Sequence, residues 1–142
     1  MEHAIIPDSF YRVSVKGLIL DDSRRFLLIC SDNGHWDLPG GGLDFWETPE
    51  VALRREIREE MQLEIQNFEP RPWYFLTAKG MNKEFYVASI IYEITLSSLS
   101  FIPTMECKEI GFFNVEEAQN MDLYPKTLEF LKLYNPKNHV HH

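Results

Sequence analysis

Thr48-Pro49-Glu50 constrains the chain more than any other short segment, because each of the three residues favours one particular place at the start of a helix. The Thr48 hydroxyl suits the N-cap, Pro49 has no N–H to lose at the first helical position, and Glu50 complements the positive end of the helix dipole. The helix so begun is expected to run from Pro49 to about Met61. Just upstream, Trp36-Asp37-Leu38-Pro39-Gly40-Gly41-Gly42 joins a helix-blocking proline to three glycines that admit positive φ or close backbone approach. A mobile or ligand-facing loop therefore leads into the helix.

Extended patterns surround this unit. Phe10 to Leu20 alternates and then becomes continuously apolar, Asp21-Asp22-Ser23-Arg24 is a turn, and Arg25 to Cys30 reads as the returning strand of a hairpin. After the helix, Leu63 to Phe68, Trp73 to Ala78 and Glu84 to Thr95 read as strands, the last two joined through the turn Lys79-Gly80-Met81-Asn82-Lys83. Glu109 to Phe113 is a further strand. Asn114-Val115-Glu116-Glu117 has capping-box spacing, and Pro125 to Tyr134 forms a helix with Leu128, Leu131 and Tyr134 along its apolar side. Strands grouped around a central helix, with helices at the end, give an α+β fold with helices layered on a mixed sheet. At 142 residues one domain over 1–142 is expected, structured over about 10–134, with 135–142 a polar, frayed tail.

No apolar run approaches a membrane span, and Met1 to Pro7 is not a basic-then-apolar leader, which reads as cytoplasmic. Cys30 and Cys107 are expected as free thiols. A formal net charge of −8 opposes nonspecific binding to nucleic acid or anionic membranes. Half of that charge is local: from Asp44 to Glu64 seven acidic residues face three basic ones, a net −4.

On a wheel of about 100° per residue, Glu56, Glu59 and Glu60 share one arc of about a hundred degrees beside the apolar stripe of Leu53, Ile57 and Met61. Like charges at this spacing repel, more so when partly desolvated, so they need compensation. Arg55, four residues before Glu59, can supply part of it. The remainder suits a hard divalent cation such as Mg²⁺ or Mn²⁺, the alternative being a solvated charged face.

Gly41, five residues, Glu47, seven residues, then Arg55-Glu56-Ile57-x-Glu59-Glu60-x-Gln62-Leu63 resembles the signature of the Nudix hydrolases, G-x5-E-x7-R-E-U-x-E-E-x-G-U, with U bulky and apolar. Eight of its nine specified positions match. Gln62 stands where the family has a glycine, and if that position keeps a left-handed conformation the cost falls on the helix end more than on chemistry. The resemblance implies an α/β/α sandwich and a Mg²⁺-dependent (or Mn²⁺-dependent) hydrolase of a nucleoside diphosphate linked to another group. It also implies a small nucleotide-type substrate, and dimers are common in the family.

Carried onto this chain, the resemblance makes Glu56, Glu59 and Glu60 the metal-site carboxylates, with the Gly40 carbonyl as a further ligand. Gly41, Glu47 and Arg55 would support the site by holding loop and helix in register. The general base would be Glu56 or an acidic residue of a later segment, Glu106 or Glu109, of which Glu109 is preferred. Arg12 and Lys16, alternate residues of one strand, are candidate phosphate contacts, with solvated strand residues as the alternative. Phe45-Trp46 offers nucleobase stacking or packing under the loop, and packing is preferred. A catalytically silent nucleotide-binding domain is the rival reading. Nucleoside triphosphates, nucleotide sugars, ADP-ribose, dinucleoside polyphosphates and modified nucleotides all stay open as substrates.

Overall fold

The computed structural model describes residues 8–140, so the N-terminal lead and His3, His141 and His142 lie outside the described residues. The elements are β1 (Tyr11–Leu18), β2 (Phe26–Cys30), β3 (Trp36–Asp37), β4 (Gly40–Gly42), α1 (Pro49–Met61), β5 (Ile65–Phe68), β6 (Tyr74–Lys79), β7 (Tyr86–Leu96), β8 (Glu109–Phe113), α2 (Val115–Ala118) and α3 (Pro125–Leu133). A final 3₁₀ turn covers Pro136–His139.

β1 and β7 run parallel through eight registered pairs, Tyr11 with Tyr86 to Leu18 with Glu93. β4 lies antiparallel on the free edge of β1, while β6 and β5 share the far edge of β7. A second sheet has the order β3-β2-β8. The β6–β7 hairpin matches the sequence expectation. The β1–β2 hairpin does not: the two strands lie in different sheets and meet only at their ends, where Leu20 bridges Phe26 and the Leu27 N–H donates to the Ile19 carbonyl. Continuously apolar strands need cover on both faces, and β2 serves β1 by packing side chains such as Leu27 and Phe26 into the cores on its two faces rather than by pairing along its edge.

Strand alternation separates two apolar cores. β2 sends Leu27 and Ile29 to the core beneath α1, with Val15, Leu53, Ile57, Met61 and Ile94, and sends Phe26 and Leu28 to the core beneath α3, with Leu76, Ile91 and Phe130. Strands between two helical layers are the α/β/α arrangement expected for this α+β chain. The buried side of α3 carries Thr127, Phe130 and Leu131, followed by Tyr134, whereas Leu128 is exposed. Spacing by threes alone therefore misplaced one residue of that stripe. Nor does the tail fray from Asn135: the 3₁₀ turn seats His139, 2% exposed, against Tyr74 and Glu93. No described helix is long and apolar enough to cross a membrane.

Candidate active site

α1 starts as its sequence dictates. The Thr48 hydroxyl accepts from the Val51 N–H at 3.3 Å and Pro49 opens the first turn. It ends at Gln62, whose φ of 57° and ψ of 37° are left-handed and whose N–H donates to the Arg58 carbonyl. The conformation that glycine would provide is thus kept by a glutamine.

The glycine loop is strapped across this helix. Gly40 has φ of 123° and lies so close to β1 that a Cβ would collide with the Val15 carbonyl. A Cβ on Gly41 would stand 2.6–2.8 Å from the Glu56 carboxyl atoms, so that carboxylate rests directly on the loop backbone. Glu60 is buried and accepts the Gly40 N–H at 2.8 Å. Burial foremost, with repulsion from Glu56 and Asp37, overcomes Lys16 and the Gly40 N–H and pushes the Glu60 pKa up to about 8. Glu56 is also raised, chiefly by burial, with Glu59 adding to the effect against Arg55. Glu59 is half-exposed.

Arg55 fixes the outer end of this arrangement. Its Nε and Nη2 each lie 2.7 Å from a different Glu47 oxygen, Nη2 also reaches the Gly42 carbonyl at 3.1 Å, and Nη1 donates to Glu56 at 3.0 Å. The two-pronged partner is Glu47, while Glu59 receives a single longer bond at 3.4 Å. Donation from Arg55 draws the Glu47 pKa down to about 2.

Lys16 is not solvated. The residue is 3% exposed, and its ammonium donates to Asp37 at 2.9 Å, to the Leu38 carbonyl at 3.2 Å and to the Gly40 carbonyl at 2.8 Å. Burial lowers its pKa, but Asp37, Glu60 and Glu56 outweigh burial and hold it above the ordinary lysine value. Asp37 is shared with Lys126 at 3.3 Å and receives the Thr127 hydroxyl at 2.8 Å. Asp37 and Lys126 escaped the sequence reading. A lysine inside the otherwise buried run Val15 to Leu18 was the available signal, since a buried ammonium requires a carboxylate partner.

Arg12 serves the loop, donating to the Leu43 carbonyl and pairing with Asp44 at 3.5 Å. Phe45 and Trp46 do not pack under it. They are 93% and 101% exposed, and Trp46 holds a φ of 72°. A cavity of about 340 Å³ adjoins Glu60, lined by Asp37, His35, Asn33, Tyr124 and Glu106 among others. Glu106 is therefore brought to the site. Glu109 is not among the lining residues: it is exposed, in register with Cys30 and one residue from Ile110, which packs toward α1, so strand alternation turns it to the other face. Cys30 and Cys107 are free, and burial pushes the Cys107 thiol up to about 12.

Among the described residues, no three His, Cys, Asp or Glu side chains converge into a ready metal cage. The donor chemistry nevertheless fits a hard divalent cation. Glu56 and Glu60 lie against the Gly40-Gly41 backbone, every donor is oxygen, and the cation balancing them is Lys16, already bonded to the Gly40 carbonyl.

Comparison with known proteins gives a consistent result. The NUDIX domain profile matches residues 10–134. A nucleoside triphosphatase NudI of Escherichia coli O139:H28 is 30% identical over 134 residues, covering 86% of this chain and 95% of that protein. A MutT NUDIX hydrolase from Burkholderia pseudomallei superposes with a TM-score of 0.74 at 22% identity, covering 89% of this chain and all (100%) of the other. A MutT protein from Methanosarcina mazei Go1 gives 0.71 at 22% identity, covering 93% and 98%.

Proposed function

The chain belongs to the Nudix hydrolase family, and from that premise we propose that it is a divalent-metal-dependent pyrophosphatase whose substrate is a nucleoside triphosphate. Hydrolysis of nucleoside diphosphate derivatives is the activity of the family. The triphosphate is the finer reading, supported by the similarity to the NudI nucleoside triphosphatases. The observation that carries the reading is the placement of Glu56 and Glu60 against the Gly40-Gly41 backbone, beside a cleft that Glu106 also lines.

Glu56 and Glu60, with the Gly40 carbonyl and the outlying Glu59, would hold the metal, Mg²⁺ or Mn²⁺. When bound, such an ion neutralises the diphosphate, orients it and acidifies water. The chain's own residues do the rest. Arg55 keeps Glu56 on the loop through its Glu47 and Gly42 contacts. Lys16 holds the Leu38 and Gly40 carbonyls in place. Glu106 takes the proton of the attacking water as its oxygen bonds to phosphorus and the bridging P–O bond breaks, the leaving phosphate departing with the bond's electron pair.

The test is hydrolysis of a nucleoside triphosphate panel with Mg²⁺, comparing Glu106→Gln with Glu109→Gln. Loss of the base lowers kcat by about 10²–10⁴-fold in the first, and the second stays within about twofold of the parent. Equal losses in both, or no loss in Glu106→Gln, would reassign the base.

A further inference from the structure

Beyond the cleft lies a second cavity of about 150 Å³, lined by Lys79, Gly80, Met81, Lys83, Phe85, Val87, Tyr124, Pro125 and Lys126. Three of those nine residues are lysines, in a chain of net charge −8. Most cations elsewhere are committed: Arg54, Arg55 and Arg58 pair with Glu50, Glu47 and Glu64, and Lys132 pairs with Glu129. Lys79 and Lys83 are different. Among the described residues no carboxylate comes within ion-pair distance of either, although Glu84 follows Lys83 directly.

Local structure brings both residues to the one cavity. The Lys83 N–H donates to the Gly80 carbonyl at 3.1 Å and the Gly80 N–H to the Phe85 carbonyl at 3.0 Å, closing the turn between β6 and β7. A Cβ on Gly80 would stand 2.9 Å from the Lys83 Cβ, so the glycine leaves room for the Lys83 stem against the turn that follows Lys79. Like charges lining one cavity of an acidic protein, with no carboxylate paired to them, lower the energy of an incoming anion.

The cavity neighbours the cleft, and the two share one lining residue. Tyr124 lines both. Lys126 lines the second cavity, while its ammonium lies 3.3 Å from Asp37, which lines the first, and 5.3 Å from the centre of the Tyr124 ring. Asp37 stands between two ammonium groups, Lys16 and Lys126, so one carboxylate links the carboxylate-rich end of the site to the lysine-rich end. The first turn of α3, which opens at this cavity, contains no acidic residue. An extended polyanion lying across Tyr124 would thus meet Lys126 and then Lys79 and Lys83.

We propose that the cavity between the β6–β7 turn and the start of α3 is a second phosphate subsite, in which Lys79, Lys83 and Lys126 take the terminal phosphate of the substrate's polyphosphate chain. The proposal rests on the nucleoside triphosphate reading above and sharpens it. The enzyme is selective for substrates with a further phosphate beyond the bond cleaved at Glu60 and Glu106, over nucleotides joined to a neutral group.

Isothermal calorimetry with inorganic tripolyphosphate in EDTA reads the subsite without turnover. The parent protein binds the probe. Lys79→Gln/Lys83→Gln weakens binding by about tenfold, as expected for two lost charge-assisted contacts, Lys79→Arg/Lys83→Arg retains it, and Lys132→Gln leaves it unchanged. In turnover with Mg²⁺, the glutamine pair raises KM for a nucleoside triphosphate about tenfold with kcat held, and leaves KM for a nucleoside diphosphate unchanged. Absence of tripolyphosphate binding by the parent, equal binding by the glutamine pair, or an equal loss in Lys132→Gln overturns the subsite. Lysine-dependent tripolyphosphate binding in a protein that hydrolyses no nucleoside triphosphate overturns the substrate reading and leaves the subsite standing.

Discussion

His139, Glu93 and Tyr74 form a polar cluster as deeply buried as that of Lys16, Asp37 and Glu60, yet the two are built in opposite ways. His139 Nδ1 lies 2.6 Å from a Glu93 oxygen and Nε2 lies 2.8 Å from the Tyr74 hydroxyl, so both ring nitrogens have partners. The ring stacks on Tyr134, with centroids 5.5 Å apart and planes 20° apart, and Trp73 packs beside it at 4.7 Å. Around Lys16 the carboxylates are crowded instead. Glu60 and Glu56 are both raised, chiefly by burial, with Glu56 and Asp37 adding to the cost at Glu60 and Glu59 adding to it at Glu56. The first cluster closes the fold with matched partners, while the second keeps electrostatic tension at the place proposed above for a cation and a phosphate chain.

Exchanging the two roles by mutation gives the largest contrast. Glu60→Gln lowers kcat/KM by about a thousandfold, with a urea midpoint at neutral pH equal to or above that of the parent, because an amide is neutral without the cost of protonating a carboxyl that is ionised in the unfolded chain. His139→Ala leaves kcat within about twofold but costs about 2–4 kcal/mol of stability, through two lost partners and a cavity among aromatic rings. Parent-like activity in Glu60→Gln, or a parent-like midpoint in His139→Ala, would erase the distinction.

Titration of metal-free protein sharpens the comparison. Glu60, raised to about 8, favours folding while protonated, so its contribution is fully present below pH 4.5 and is lost as pH rises toward 8. Glu47, lowered to about 2, works the other way: its contribution is present above pH 4.5 and is lost as pH falls toward 2. Urea midpoints measured in EDTA therefore fall along both arms. Glu60→Gln flattens the alkaline arm and Glu47→Gln the acid one. An unchanged alkaline arm in Glu60→Gln would place the tension on another group.

The smallest expected effect concerns the helix end. Gln62→Gly relieves a left-handed φ of 57° and raises stability by about 0.5–1 kcal/mol, with activity unchanged. Thermal melts and initial rates check this, and a loss of stability would show that the Gln62 side chain contributes contacts of its own.

What was legible in the sequence followed local rules. The bounds of α1, the β6–β7 hairpin and the seating of Leu53, Ile57 and Met61 rest on capping, turn chemistry and helical periodicity, all of which act within a few residues. The errors concern long-range partners. Nothing near Lys16 announces Asp37, which lies 21 residues away, and nothing near His139 announces Glu93, 46 residues away. Glu106 and Glu109 are three residues apart, and which of them lines the cleft depends on how the chain meets β2. Exposure of Phe45 and Trp46 was hidden for the same reason, since a hydrophobic pair reads as core until the loop's neighbours are known.

β2 is buried along its whole length and feeds apolar side chains to both cores. Hydrophobicity therefore does not distinguish its native alignment from one slipped by a residue, which would still point oil toward oil on each side. The decision falls to shape and to the strand's ends. Phe26 fits against Phe130 and Tyr134 with centroids 5.2 Å from each, the Leu27 N–H meets the Ile19 carbonyl at 2.9 Å, and the Lys108 N–H meets the Cys30 carbonyl at 2.7 Å. These few contacts are what set the native register apart. An alignment that missed them would fill the two cores with the wrong halves of the same strand.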